Sequence, residues 1–98
     1  MAYEIIWTAE AETDLFNIMS YLKDNWSAVS AEKFIDNCYL KIERLSKMPS
    51  LGRTTPNGYY RYYKIDKKNV LFFEVKENHL ILLSIYPYLK DISKSKYY

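Results

Sequence analysis

An apolar stripe that runs into a proline constrains this chain more than any other feature. Ala31, Phe34, Cys38, Ile42 and Leu45 recur at steps of three, four, four and three residues. That spacing is one face of an α-helix, and Glu32, Lys33, Asp36, Asn37, Lys41, Glu43 and Arg44 clothe its other sides. Ile35 widens the stripe and Met48 extends it, until Pro49 forbids another helical turn. Ser27 is placed to cap the start. A helix so patterned must lay its stripe on something apolar, and the rest of the chain has to provide it.

The preceding segment supplies a second helix. Ala11, Leu15, Ile18 and Leu22 fall on one helical face, Thr8 sits at the N-cap position, and Glu10, Glu12 and Asp14 put negative charge in the first two turns. The helix should end near Asp24-Asn25, so only a short link separates it from Ser27. Links that short join antiparallel neighbours. Before it, Tyr3-Glu4-Ile5-Ile6-Trp7 reads as a strand. After Pro49, a loop over 49–58 is followed by three β-prone runs, 59–65, 69–75 and 80–86, separated by short polar breaks. Strands so closely joined form an antiparallel meander. The near-continuous apolar run at 80–86 predicts a central strand buried on both faces. Residues 93–98 read as a loose tail. The expected fold is α+β, in the order β-α-α-β-β-β, with one sheet packed on a helical hairpin and a single domain over 1–98.

Ninety-eight residues suffice for one core without crosslinks or metal. Two glycines and three prolines exclude a linker-rich chain, and no apolar run is long enough to span a membrane. Glu4 stands where a signal peptide would be basic, so the expected compartment is the cytoplasm. The sole cysteine, Cys38, lies on the apolar stripe and reads as a small buried hydrophobe. A phosphate-cradling loop is excluded by the glycine count. One histidine and one cysteine, far apart, argue against zinc, and the expectation is no metal and no cofactor. His79 falls in a hairpin turn, where a solvated role is expected.

Charge is divided by half. Residues 1–48 carry five Lys/Arg against eight Asp/Glu, and residues 49–98 carry nine against four. The second half should therefore show a basic face, suited to nucleic acid or an acidic protein segment. Tyrosines interleave with those cations. Strand alternation puts Tyr60, Tyr62 and Lys64 on one face and Tyr59, Arg61, Tyr63 and Ile65 on the other. Cations can meet phosphates or carboxylates, and tyrosines can stack on bases. Tyrosine also favours strands for packing alone, and the mid-strand Tyr62 and Tyr63 are the expected packers.

The joints between elements resemble those of the RelE/ParE superfamily of bacterial type II toxin–antitoxin toxins, in its ParE-like branch. The resemblance spans roughly residues 3–92. Trp7-Thr8, Ala11 and Asp14-Leu15 are similar to the branch's strand-to-helix entry, and Ile18, Tyr21 and Leu22 to its first helix. Ala31 and Phe34 fit the start of the second helix. Ile42, Leu45, Pro49, Gly52 and Arg53 match the end of that helix and its exit. Arg61 on the next strand, Val70-Leu71-Phe72-Phe73, Ile81 to Ile85 and Lys90-Asp91-Ile92 complete the pattern. One departure is that Pro87-Tyr88-Leu89-Lys90 stands where the branch commonly has a small pair and two arginines.

The resemblance implies a growth-inhibiting toxin of the kind used in plasmid stabilization, bound by an antitoxin encoded next door in a hetero-oligomer. ParE-like members poison DNA gyrase and use no catalytic residues. On that reading Arg53, Arg61, Lys64, Tyr86, Tyr88 and Lys90 form the effector or antitoxin surface. RelE-like members cut mRNA on the ribosome, and the corresponding catalytic set here would be Arg61, Lys64 and Tyr86. Asn69 stands where that nuclease branch tends to have arginine, and the C-terminal basic cluster is thin. A third implied possibility is a family fold that binds antitoxin without toxicity.

Overall fold

In the computed structural model, which describes residues 2–98, the first strand β1 (Glu4–Trp7) leads into two helices. These are α1 (Ala9–Asn25) and α2 (Ala28–Lys47). Four more strands follow, β2 (Arg53–Thr54), β3 (Arg61–Lys64), β4 (Asn69–Lys76) and β5 (His79–Pro87). They make one sheet in the order β1-β5-β4-β3-β2. The expected α+β architecture is the observed one, with β2 as an additional strand.

Local chemistry accounts for the joints. Thr8 Oγ1 accepts from the Ala11 N–H at 3.2 Å and donates to the Leu82 carbonyl at 2.7 Å. One hydroxyl thus caps α1 and ties it to β5. Ser27 Oγ accepts from the Ser30 N–H at 3.0 Å and caps α2. At the far end α2 stops at Lys47. Met48 caps it with φ −147°, outside the helical region, because Pro49 follows. Met48 is therefore exposed and does not extend the stripe. The five residues that define the stripe are all buried, and Phe34, Cys38, Ile42 and Leu45 share one core with Leu71, Phe73, Leu80, Leu82 and Ile85 of the sheet. Cys38 is among them, and burial, with the nearby Asp66 charge, pushes its thiol pKa up to about 12.

The expected meander is present as β3, β4 and β5, with β5 inside the sheet. On its other side β5 pairs in parallel with β1, from Glu4 opposite His79 to Trp7 opposite Leu82. Two boundaries differ from expectation. β3 begins at Arg61, leaving Tyr59 and Tyr60 in the preceding loop. Within the expected 49–58 loop, Arg53 and Thr54 pair with Tyr62 and Arg61. Two residues are too few to show alternation. Their pairing is held by the loop itself, where the Thr55 N–H donates to the Tyr60 carbonyl at 2.8 Å and Gly58 turns with φ +83°.

The apolar run of β5 hides a β-bulge. Phe73 opposes Leu82 and Phe72 opposes Ser84, so Leu83 is an extra residue. Before it, Leu80 and Leu82 face the helices, and after it Ile85 does. Tyr86 is thereby turned to the opposite face, beside Val70 and Phe72. The carboxylate of Asp14 on α1 braces the bulge, accepting from Ile85 N–H at 3.0 Å and Ser84 Oγ at 3.1 Å.

Of residues 93–98, expected to be loose, Tyr97 and Tyr98 pack against the sheet, while Ser93, Lys94 and Lys96 are exposed. After a short 3₁₀ turn over Ile92–Lys94, Tyr97 and Tyr98 join Tyr60, Tyr62 and Phe72 on the face away from the helices. Two adjacent tyrosines carry enough apolar area to seek cover, a signal that the polar Ser-Lys-Ser-Lys lead-in masks.

Candidate functional site

The outer face of the sheet is aromatic at its centre and basic at one side. Val70, Phe72 and Leu83 are buried beneath Tyr60, Tyr62, Tyr86, Tyr97 and Tyr98. Alternation places Tyr60 and Tyr62 here, and Tyr63 and Ile65 on the helix side, as the sequence predicts. Beside the aromatic cluster lies a pocket of about 520 Å³, with Arg53, Lys64, Tyr62, Tyr88, Ile92 and Tyr98 in its walls. Among the described residues no Asp or Glu side chain lines it. Lys64 Nζ stands 4.4 Å from the centre of the Tyr88 ring, a cation–π contact that positions both groups.

Of the residues singled out from sequence, Arg53, Lys64 and Tyr88 share this pocket. Tyr86 is on the same face, edge-on to Phe72 at 6.2 Å, with its hydroxyl 3.5 Å from the Asp91 carbonyl. Arg61 is on the other side of the sheet. It pairs with Phe73, which faces the helices, and its Nη1 donates to the Pro49 carbonyl at 3.3 Å. Lys90 is exposed in the turn after β5, where its N–H donates to the Pro87 carbonyl at 3.2 Å. His79 faces Glu4 across the parallel pair, Nε2 to Oε2 3.5 Å. Among the described residues no group of three His, Cys, Asp or Glu side chains could hold a metal ion.

Two features escaped the sequence reading. Tyr98 completes the pocket wall, and its partner Tyr62 stacks on it at 6.2 Å. A larger groove of about 710 Å³ lies where the tip of the helical hairpin meets the β3–β4 turn. Tyr21, Leu22, Trp26, Phe34, Pro87 and Leu89 give it an apolar floor, with Lys33, Lys67 and Lys68 among its lining. The signal for it was Trp26, a large aromatic stranded between two helices and 68% exposed.

A strand, a helical hairpin and a basic, aromatic sheet face now stand together, and the family comparison bears directly on them. The model for the ParE toxin of the type II toxin–antitoxin system parDE matches residues 5–87. The chain belongs to the ParE toxin family. The expectation drawn from the helix and strand joints is thus borne out at the level of family. No curated protein sequence matches the chain. Among solved structures, the chromosomal ParDE toxin–antitoxin system from P. aeruginosa contains a similar chain, with a TM-score of 0.78 at 19% identity. That match covers 88% of this chain and 96% of the other. The YoeB/ParE toxin from Agrobacterium tumefaciens is similar at a TM-score of 0.60 and 10% identity, over 87% of this chain and 98% of that one. The YoeB dimer from Staphylococcus aureus follows at 0.58 and 15%, over 86% and 94%. At these identities the likeness is one of fold. Within this ParE-family chain the matched stretch ends at Pro87, so Tyr88 and the Tyr97-Tyr98 pair lie beyond it.

Proposed function

We propose that this ParE-family chain is the toxin of a type II toxin–antitoxin module and acts by binding a topoisomerase, DNA gyrase, in the cytoplasm. It is held inactive in a hetero-oligomer with an antitoxin encoded beside it. The observation that carries the choice of binding over cleavage is the placement of Arg61. A phosphate-cleaving site needs its cations and its acid–base group to converge on one phosphate. Here Lys64 and Tyr86 face outward, while Arg61 faces the helices with its guanidinium on the Pro49 carbonyl. What the outer face does offer is arginine and tyrosine, side chains enriched at binding hot spots, with lysine beside them around a concave pocket. An acidic amphipathic segment of the antitoxin would meet complementary charge there, and again at the lysines of the hairpin-tip groove.

The shared face of Lys64 and Tyr86 favours one second reading, ribosome-dependent mRNA cleavage. Induction of the protein alone in a bacterial host, with pulse labelling of DNA and protein synthesis in the first minutes, separates the two. Early loss of DNA synthesis with translation intact is the expected result. Early collapse of translation would transfer the assignment to the nuclease. If neither falls while the protein is folded and soluble, the chain binds antitoxin without poisoning the cell.

A further inference from the structure

The residues that follow the family-matched stretch cover the outer face. Tyr97 stands edge-on to Tyr60 at 5.2 Å and lies 5.9 Å from Phe72, and Tyr98 stacks on Tyr62. Phe72 sits fully buried in a cluster that includes these rings. Polar tethers hold the cover down. Tyr97 Oη donates to Glu10 Oε1 at 2.8 Å, and Lys96 Nζ lies 2.9 Å from the same oxygen. Asn57 donates from its N–H to the Tyr98 carbonyl and from its Nδ2 to the Tyr97 carbonyl, both at 3.3 Å. The ion pair is exposed, with Lys96 at 70%, and exposed pairs contribute little. The cover is thus seated on an apolar face by one hydrogen bond to a carboxylate, one exposed ion pair and two long hydrogen bonds.

We infer that residues 95–98 are a displaceable strap over a docking platform, and that the segment which displaces them is an acidic peptide bearing aromatic side chains. This rests on the proposed reading of the outer face as a partner surface. The strap itself shows which chemistry the platform accepts, since two adjacent aromatic rings and two backbone carbonyls occupy it now. Acidic character follows from Arg53 and Lys64 in a pocket that no described Asp or Glu side chain lines. Tyr98 is a wall of that pocket, so lifting the strap opens it and bares Tyr62 in one movement. An incoming segment exchanges ring for ring and adds charge pairs that the strap does not make.

A fluorescein-labelled random copolymer of glutamate and tyrosine is a suitable probe, with binding read by anisotropy. Glu10→Gln and Tyr97→Phe loosen the tether while leaving the apolar cover in place, and deletion of residues 95–98 removes it. Far-UV circular dichroism checks that each variant folds. Binding should tighten roughly two- to tenfold in the tether variants, the effect of one lost hydrogen bond. The copolymer should also speed hydrogen exchange at the Tyr97 and Tyr98 amides in the wild-type protein. Equal or weaker binding by folded tether variants, or a strap that stays protected under bound copolymer, would overturn the strap. Arg53→Ala/Lys64→Ala keeps that result distinct from failure of the underlying reading. Weakened binding in this pair with unchanged tether variants leaves the platform standing without its strap. Undiminished binding in the pair removes the platform itself.

Discussion

Gly52 is required by space, not by backbone freedom. Its φ of −77° suits any residue. A Cβ there would lie 2.6 Å from Phe73 Cε1, with Cζ nearer still, and 3.3 Å from the Tyr62 carbonyl. Phe73 is fully buried and has nowhere to retreat. Gly52→Ala should therefore cost about 1–3 kcal/mol in a urea titration, the usual penalty of overpacking. Cys38 makes the second prediction at this scale. A thiol held up at about 12 and fully buried exposes no thiolate near neutrality. It should resist a thiol reagent such as DTNB in the native protein and react stoichiometrically once the chain is unfolded. Both residues could be picked out of the sequence, Cys38 by its place on the stripe and Gly52 by the resemblance. The reason for the glycine could not, because Phe73 reaches it from another strand.

Elements divide between those written in local pattern and those written in pairing. The α2 stripe and both helix caps are local, and they stand where the sequence puts them. The bulge in β5 is not local, for an apolar run gives no count of how many residues oppose each partner. Ser84 is its one trace, a buried polar side chain in an apolar strand, whose partner Asp14 comes from α1. Asp14→Ala should leave the Ile85 N–H and the Ser84 hydroxyl without their acceptor and cost about 1–3 kcal/mol by thermal or denaturant unfolding. The outward position of Tyr86 depends on the same brace, so its ring resonances should shift in that variant.

The C-terminal strap carries a pH prediction. Burial alone would raise the Glu10 carboxyl, but hydrogen bonds from Lys96 and Tyr97, and the Lys96 charge, outweigh it and hold the pKa below the ordinary glutamate value. The hydrogen bond to Glu10 raises the Lys96 ammonium, and burial with the Glu10 bond raises the Tyr97 phenol. A depressed carboxyl stabilises the closed strap above its ordinary pKa and loses that effect as pH falls through the lowered value. Raised cations and phenols do the reverse, losing theirs as pH climbs through the raised values. Closure should hold across neutral pH, weaken on acidification below the usual glutamate range, and weaken again in strong alkali. The Tyr98 amide signal followed against pH checks this, and Glu10→Gln should abolish the acid limb and also diminish the alkaline one, since Glu10 helps to raise both Lys96 and Tyr97.

For the whole molecule, the unequal division of charge between the two halves becomes a spatial one. The acidic half builds the helices, and the basic half builds most of the sheet and the pocket on its outer face, while the hairpin-tip groove draws on both halves. That much could be foreseen from counting; the pocket and the groove could not, since each gathers side chains from distant segments. Attraction to an acidic partner across such a surface is screened over about 10 Å at 0.1 M salt. Association with the copolymer should slow steeply as salt rises, and Arg53→Ala/Lys64→Ala should flatten that dependence.

The parallel pairing of β1 with β5 joins residues 4–7 to residues 79–82. A strand made before both helices waits for its neighbour until the helices and three further strands have been made. The helical hairpin can form early, yet the central strand that it covers arrives late, and contacts so far apart in sequence are slow to close. A nascent chain halted before β5 has no finished sheet and no outer face. The outer face therefore comes into being late, when β5 joins the strands already made on either side of it.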